Sequence, residues 1–300
     1  MGNIKEDYIK YISNDTNIRK IPTGIQKLDN IYGGGLPNGL TILGAITGLG
    51  KTTFALQLAD NMASVENTKV LFFSLELSKY ELLSKSLSRL SYLDNDLTPH
   101  TPNEFMNNKV TDIENYFNKY EPIQDNLFLV DNVRDIKGIL NNSLAFIKSH
   151  SNDKVVIIID YLQYISCNSS GNDKQNIDNI TRQLKAFSTD YSASIIAISS
   201  INRTSYKNNT IGSFKESGSI EYTADYLISL EEKETSNNLA FNTDDNIITL
   251  TFLKNRFGTK DSIDLTYYGN YATFIENWFS KNDLGQRLLY ERRIGIFTLA

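Results

Sequence analysis

The clearest chemistry in this sequence belongs to a lysine and two threonines that follow a glycine-rich stretch. Residues 45–53 read Ala-Ile-Thr-Gly-Leu-Gly-Lys-Thr-Thr, between an apolar run at 40–43 and a helical pattern at 54–58. This order is typical of a phosphate-binding loop (P-loop), in which backbone N–H groups and a helix N-terminus surround phosphate oxygens. The predicted nucleotide-binding residues are Ala45, Thr47, Gly48, Leu49, Gly50, Lys51, Thr52 and Thr53.

Within this loop, Lys51 and Thr52 have separate predicted roles. The Lys51 ammonium can reach the β- and γ-phosphates of ATP, and the Thr52 hydroxyl can hold Mg²⁺. Ala45 stands where the usual pattern has its first glycine. Because alanine is small and fits if the backbone φ angle is negative, we expect the loop to bind ATP despite this departure.

Two acidic residues at the ends of predicted strands are candidates to complete the site. Strand 155–160 closes on Asp160, which is the arrangement of a Walker B motif whose carboxylate holds Mg²⁺. Strand 69–74 is followed by Glu76, at the carboxyl edge beside the P-loop, where a carboxylate can orient and deprotonate the attacking water. An acid at a strand end is common, so the P-loop upstream gives both residues their functional interpretation.

An alternation of strands and helices must bring these residues together. The predicted strands are 40–45, 69–74, 126–130, 155–160, 194–199, 226–230, 246–253, 262–267 and 271–275. The predicted helices are 51–64, 78–92, 136–149 and 174–190, with a polar helical segment at about 103–119. The predicted fold is therefore α/β, with a mostly parallel central sheet, helices on both faces, and antiparallel C-terminal strands that extend the same sheet.

Composition limits the classes of function. The chain has 300 residues, of which 40% are hydrophobic, enough for a globular core. Its single cysteine excludes a disulfide framework and a Cys-based metal site, and it suits a reducing cytoplasm. We find no signal peptide and no apolar run of membrane-spanning length. A formal net charge of −5 argues against a generally basic nucleic-acid coat but leaves room for a local basic channel.

The sequence divides into three predicted parts: an N-terminal arm at 1–19, an ATPase domain at 20–277 and a C-terminal tail at 278–300. Ile4, Tyr8, Tyr11 and Ile12 recur at helical spacing and predict a short amphipathic helix over 3–13. This helix docks either on its own domain or on a neighbouring subunit, and the sequence favours neither.

Four sequence blocks together resemble the DnaB-type hexameric replicative helicases. Residues 70–78 resemble the segment that carries their catalytic glutamate, and 160–165, Asp-Tyr-Leu-Gln-Tyr-Ile, resemble their Walker B signature. Residues 216–225 resemble a further block, and 254–258, Lys-Asn-Arg-Phe-Gly, resemble their K-x-R-x-G hairpin. The resemblance covers roughly residues 20 to 276, and four blocks in the family's order are far more specific than a P-loop alone.

The resemblance implies a RecA-like ATPase that assembles as a ring, usually a hexamer, with ATP bound between subunits. Glu76 is then the general base and Asp160 the Mg²⁺ acid. Arg256 is an arginine finger supplied in trans, and Lys254 is its partner on the γ-phosphate. The implied function is an ATP-dependent DNA helicase that translocates on single-stranded DNA during replication, with primase or a helicase loader as further partners.

Two loops line the central channel of such rings, and here they are 166–175 and 203–212. Lys174, Arg203 and Lys207 are the candidates for contacts with DNA phosphates, although most loop lysines are merely solvated. Tyr206 is the only aromatic candidate for base stacking. These loops therefore favour backbone tracking of single strands over base-specific readout.

Three departures from the family keep alternative functions open. Only the helix at 3–13 precedes the core, where the family has a helical domain that binds primase, so we expect a stand-alone ATPase of phage or mobile-element style. Ser200 replaces a glutamine that senses the γ-phosphate in the family, and residues 33–39 look more like RecA, RadA and KaiC ATPases. The alternatives are a RecA- or RadA-like recombination ATPase and a KaiC-like ATP-switch ring without unwinding activity.

Overall fold

The computed structural model describes residues 3–13, 20–94, 98–167, 172–201, 218–233 and 246–276. Arg203, Tyr206, Lys207 and the tail at 278–300 lie outside these ranges. The helices are α1 (Ile4–Ser13), α2 (Gln26–Tyr32), α3 (Lys51–Ala63), α4 (Lys79–Leu93), α5 (Pro102–Met106), α6 (Ile113–Gln124), α7 (Ile136–Ser149), α8 (Asp173–Asp190) and α9 (Gly218–Thr223). The strands are β1 (Gly39–Ala45), β2 (Thr68–Ser74), β3 (Leu127–Val130), β4 (Lys154–Asp160), β5 (Ser194–Ser200), β6 (Tyr226–Glu232), β7 (Asn246–Asn255), β8 (Ser262–Tyr268) and β9 (Thr273–Glu276).

One nine-stranded sheet forms the centre of the molecule, in the order β3-β2-β4-β5-β1-β6-β7-β8-β9. The pairs from β3 to β6 are all parallel, and β7, β8 and β9 add antiparallel strands at one side. This arrangement confirms the predicted α/β fold and the predicted extension of the sheet by antiparallel C-terminal strands.

Alternating side chains of the strands build a hydrophobic core on each face of the sheet. In β1, Leu43 lies in the core that contains residues of α3 and α4, whereas Leu40 and Ile42 lie in the core that contains residues of α7 and α8. Successive residues of a strand point to opposite faces, so one strand contributes to both cores. Because both faces are covered, the central strands are continuous apolar runs.

The predicted helical segment at 103–119 is wrong as a single helix, because the chain forms two. Helix α5 begins with a capping box between Thr101 and Glu104 and ends at Met106, and α6 begins only at Ile113. Asn108 lies between them with a positive φ of 53°, a conformation that a continuing helix does not allow. The helix-like polar pattern at 103–119 therefore continues across a turn at which the helix itself ends.

Helix α1 forms over the predicted residues, and three of its large apolar side chains are open to solvent. Ile4, Tyr8 and Ile9 are all exposed. Docking of this helix on its own domain and docking on a neighbouring subunit both remain predictions. Among the helices that the structure describes, none has the length and apolarity needed to cross a membrane.

Candidate functional site

The P-loop connects the end of β1 to the start of α3. Gly48 and Gly50 have φ angles of 97° and 78°, in the left-handed region that other residues rarely adopt. A Cβ atom on Gly50 would also lie 2.9 Å from the ring of Tyr267, so this position needs glycine for two reasons. Ala45 is the buried last residue of β1, with no positive φ, and this agrees with the condition under which alanine fits.

Lys51 is the first residue of α3, and its ammonium group lies across the loop. It donates a hydrogen bond to the carbonyl oxygen of Ile46 at 3.0 Å. Burial lowers the pKa of Lys51, while the negative charges of Asp160 and Glu76 act in the opposite direction. The three side chains thus lie close enough to interact, as the sequence predicted for the carboxyl edge of the sheet.

Asp160 ends β4 with its side chain almost fully buried beside the P-loop. Burial raises the pKa of Asp160 to about 6, although a hydrogen bond from Thr52 acts to lower it. Its Oδ2 atom is buried without a hydrogen-bond partner in the described part of the chain. A buried carboxylate oxygen with no partner, next to a threonine hydroxyl, fits a hard cation that takes oxygen ligands, such as Mg²⁺.

Glu76 follows β2 and is exposed at the same edge. Two strands, β4 and β5, separate β2 from β1, so Glu76 is not on a neighbour of the P-loop strand. The N–H of Leu75 donates to the carbonyl oxygen of Asp160 at 2.7 Å, and this bond fixes the backbone next to Glu76 against the end of β4. The position suits a carboxylate that acts on a water beside the terminal phosphate.

Lys254 and Arg256 lie at the amino edge of the sheet, where the parallel strands begin. This is the end opposite to the carboxyl edge, where the P-loop lies. Asn255 is paired with Tyr226, and Tyr226 is paired with Thr41 near the start of β1, whereas the P-loop follows the end of β1. At about 3.3 Å per strand residue, the two sites are roughly 15–20 Å apart along the strand. Lys254 and Arg256 therefore do not reach the P-loop of their own chain.

Local contacts hold both cations at this amino edge. The Lys254 ammonium donates to the carbonyl oxygens of Glu221 at 2.6 Å and Tyr222 at 3.2 Å, and burial lowers its pKa. The Arg256 guanidinium donates to Asp225 at 3.1 Å, while its side chain stays 56% exposed. Arg256 is therefore anchored at the protein surface with its charge accessible, and Lys254 is anchored half-buried beside it.

The predicted DNA-binding residues have unequal structural support. Lys174 is exposed in the first turn of α8, which Asn172 caps by accepting a hydrogen bond from the N–H of Gln175 at 3.0 Å. Helix α8 runs from the end of β4 to the start of β5, so Lys174 is on the P-loop side of the sheet. Arg203 and Lys207 lie outside the described residues, and their position relative to Lys174 stays a prediction.

Residues of β8 and β9 pack against the P-loop and α3. The sequence analysis did not predict these contacts. The rings of Tyr267 and Phe274 stack at 4.3 Å beneath Gly50, and Tyr267 also accepts or donates a hydrogen bond with Thr53. Gln57 of α3 makes two hydrogen bonds of 2.8 Å with the backbone of Phe274. No local pattern signals this contact, because Gln57 and Phe274 are 217 residues apart.

Gln163 links the ends of β4 and β5, another contact without a sequence signal of its own. Its amide donates to the Ser199 hydroxyl at 3.0 Å and accepts from the Ser200 N–H at 3.2 Å. The sequence contains Gln163 only as part of the D-Y-L-Q block. The structure places this amide beside Ser200, the position where a glutamine was expected from the resemblance.

Comparison with known proteins identifies the family of this chain. The model of the DnaB-like helicase C-terminal domain matches residues 20–276. The chain is 31% identical over 278 residues to the replicative DNA helicase DnaB of Geobacillus stearothermophilus and 27% identical over 277 residues to that of Haemophilus influenzae. Each match covers 90% of this chain, which spans 59% and 58% of the length of these relatives.

Solved structures show the same fold. The structure of a DnaB-like replicative helicase superposes with a TM-score of 0.74 at 21% identity, covering 92% of this chain and 67% of that chain. A KaiC-like protein from Pyrococcus horikoshii OT3 superposes with a TM-score of 0.58 at 18% identity, covering 86% of this chain and 98% of the other. With the family model matched across nearly the whole ATPase core, this chain belongs to the family of DnaB-like helicase C-terminal domains.

Proposed function

We propose that this chain is the ATPase motor of a ring-forming DNA helicase, which hydrolyses ATP between adjacent copies of itself and moves along single-stranded DNA during replication. Family membership supports this function, since the relatives carry the name replicative DNA helicase. The ring, the DNA substrate and any contact with primase or a helicase loader belong to the proposal.

One observation carries the proposal: the P-loop with its carboxylates and the cations of the K-x-R-x-G hairpin lie at opposite edges of one sheet. Lys51, Asp160 and Glu76 gather at the carboxyl edge, while Lys254 and Arg256 are held at the amino edge. Cations that cannot reach their own P-loop fit the site of a second copy. Repeating this head-to-tail contact around an axis closes a ring, and the resemblance implies six copies.

The amino edge also has the surface expected of a contact between copies. Phe257 is 73% exposed and Tyr222 is 82% exposed, next to the cations Arg256 and Lys254. The facing edge of a second copy would present Glu76 and the bound polyphosphate, so the two surfaces have complementary charge. Exposed aromatic side chains beside an arginine are typical of residues that contribute most to protein interfaces.

The proposed mechanism assigns each group a distinct task. The P-loop N–H groups and Lys51 bind the phosphates, and Glu76 orients a water and accepts its proton during attack on the γ-phosphorus. Arg256 and Lys254 of the adjacent copy stabilise the negative charge that develops on the transferred phosphoryl group. Thr52 and Asp160 would hold Mg²⁺, which would supply neutralisation of the phosphate charge.

Mixing two inactive variants tests the proposal directly. Lys51→Ala subunits keep Lys254 and Arg256 but cannot bind ATP. Arg256→Ala subunits keep an intact P-loop. Each variant alone should lose ATPase activity, and mixed assemblies should recover part of it because some interfaces pair two intact halves. Lys260→Ala, an exposed lysine of the same hairpin, is the matched control and should behave as the parent.

Two outcomes would contradict this function. If demonstrably mixed assemblies show no recovery, then Arg256 does not act between copies. If recovery occurs but the parent neither binds single-stranded DNA nor unwinds a forked duplex with a free 5′ tail, the KaiC-like switch replaces the helicase. The observation that favours this second candidate is Ser200, which replaces the family's glutamine at the end of β5 and whose backbone N–H donates to the side-chain oxygen of Gln163.

A further inference from the structure

Asp225 is a buried carboxylate at the amino edge that connects three other elements of the fold. Its side chain is only 2% exposed. One oxygen, Oδ2, accepts from the N–H of Leu40 at 2.9 Å and from the Lys185 ammonium at 2.6 Å. The other oxygen, Oδ1, accepts from Arg256 at 3.1 Å. The carboxylate therefore joins the start of β1, the middle of α8 and the hairpin of Arg256.

The backbone around Asp225 makes this junction rigid. The N–H of Asp225 donates to the carbonyl oxygen of Leu40 at 2.9 Å, and the N–H of Arg256 donates to the carbonyl oxygen of Asp225 at 3.1 Å. Gly39 has a φ of 132°, and a Cβ atom there would lie 2.7 Å from Oδ2 of Asp225. The close approach of β1 to this carboxylate thus requires glycine at position 39.

Asp225 holds Arg256 by one end and leaves the rest of the guanidinium accessible. Among the described residues, no other side chain accepts a hydrogen bond from Arg256, and the contact uses a single nitrogen, Nη1. A free arginine side chain loses rotamer entropy when it binds a partner. Fixing its direction in advance reduces that loss when the remaining N–H groups meet an anion.

The charge balance at this junction favours an incoming anion. Three cations, Lys185, Lys254 and Arg256, face two carboxylates, Asp225 and Glu221, and the Lys254 ammonium donates hydrogen bonds only to backbone carbonyls in the described part of the chain. Charge neutralisation alone would need only one cation for each carboxylate. The surplus of positive charge at the exposed face suits a polyphosphate on a second copy.

We propose that Asp225 is a positioning residue, which holds Arg256 in the direction needed to enter the nucleotide site of an adjacent copy. The inference rests on the proposed function, because it gives Arg256 its target. It goes further because it assigns the orientation of Arg256 to one carboxylate, that of Asp225. This carboxylate belongs to the same copy as Arg256.

The substitution Asp225→Asn tests this inference. Asparagine keeps the shape and one acceptor oxygen for Leu40, but it loses the negative charge that pairs with Arg256. We expect unchanged affinity for a fluorescent ATP analogue and about 10²-fold slower ATP turnover, which is the scale of a misplaced catalytic group. Asp264→Asn, which removes a surface ion pair with Lys233 from the same sheet, is the matched control.

Subunit mixing separates positioning from a merely structural role. Asp225→Asn subunits should be rescued by Lys51→Ala subunits to the same extent as Arg256→Ala subunits, because their own P-loops are intact. The double variant Asp225→Asn/Arg256→Ala should be no slower than Arg256→Ala alone, since both changes remove one function. A structural role would lower nucleotide affinity and multiply the two losses.

A second pair of variants covers the case in which Asp225→Asn does not fold because Lys185 is left unpaired. Lys185→Met/Asp225→Asn removes both partners, which proteins tolerate better than the loss of one. The double variant should turn over ATP about 10²-fold more slowly than Lys185→Met alone. Equal turnover in these two variants, with Arg256→Ala rescued as expected, overturns the inference but not the function. Failure of the Arg256→Ala rescue itself overturns both.

Discussion

The two edges of the central sheet are built in opposite ways. At the carboxyl edge, one strand, one loop and one helix that are contiguous in sequence form the P-loop, and residues of β9 support it from below. At the amino edge, Asp225, Lys185 and Arg256 come from three separate elements and leave an exposed, positively charged face. The difference teaches that adjacent residues form the phosphate-binding loop, whereas only the tertiary fold assembles the cationic amino edge, which in the proposed function completes the site of a second copy.

Arg256→Ala should have the largest effect that leaves nucleotide binding intact. An arginine finger contributes about 10³–10⁵ in rate in related phosphoryl transfer, so turnover should fall by that factor. Affinity for ATP should stay near that of the parent, because the P-loop is at the other edge. Steady-state ATPase assays with equilibrium nucleotide titration measure both quantities. If Arg256→Ala lost affinity for ATP by the same factor as turnover, the amino edge and the P-loop would not act independently in one chain.

Glu76→Gln should give the next largest effect, from the carboxyl edge. Loss of a general base lowers the rate by about 10²–10⁴-fold, while glutamine keeps the size of the side chain and ATP binding. Unlike Arg256→Ala, this variant should not be rescued by Lys51→Ala subunits, because every interface then contains a defective carboxyl edge. Glu66→Gln, at an exposed position before β2, is the control. Near-parent turnover in Glu76→Gln would move the base elsewhere.

Asp29 lies outside both sites. A change in its protonation should alter the free energy of unfolding and not the ATPase activity. Burial raises the pKa of Asp29 from 3.8 to about 6, although Thr23 donates two hydrogen bonds to it. Since the folded state favours the protonated form, this group's contribution to stability should decrease as pH rises from about 4 to about 6. Urea unfolding of the parent and Asp29→Asn should differ between these pH values by about 1–3 kcal/mol.

Asp264→Asn provides a comparison of opposite sign for that experiment. Burial acts to raise the pKa of Asp264, but hydrogen bonds from Lys233 and Thr249 outweigh it and lower the pKa. The stabilising contribution of Asp264 should therefore be lost as pH falls, the reverse of the behaviour of Asp29. If both variants changed the pH dependence in the same direction, the assigned causes of the two pKa shifts would be wrong.

The smallest expected effect concerns DNA. Lys174→Ala should weaken binding of single-stranded DNA a few-fold and make the log–log slope of affinity against salt shallower by about 0.7, the value for one phosphate contact. The loss should be similar for unrelated DNA sequences, because a lysine–phosphate contact carries no base information. Fluorescence anisotropy over a salt series measures it, with Lys148→Ala on α7 as control. An unchanged slope would remove Lys174 from the DNA surface.

The sequence by itself determined the carboxyl edge and the class of fold. Residues 45–53 encode the P-loop because glycine backbone freedom and a helix start are properties of adjacent residues. Asp160 was identifiable because an apolar run that ends in an acid marks the carboxyl end of a buried strand. The alternation of elements was equally local, and it failed at 103–119, where a turn interrupts a polar pattern that remains helical on both sides.

Only the tertiary structure decided what surrounds these motifs. The contacts of Gln57 with Phe274, of Gln163 with Ser200, and of Asp225 with Lys185 depend on which strands become neighbours in the sheet. β6 lies beside β1 and parallel to it, and β7 runs antiparallel to β6, so Arg256 at the end of β7 lies at the amino edge, far from its own P-loop. Sequence separation has no fixed relation to such distances, because long-range pairing is set by burial of both sheet faces and not by local backbone preference.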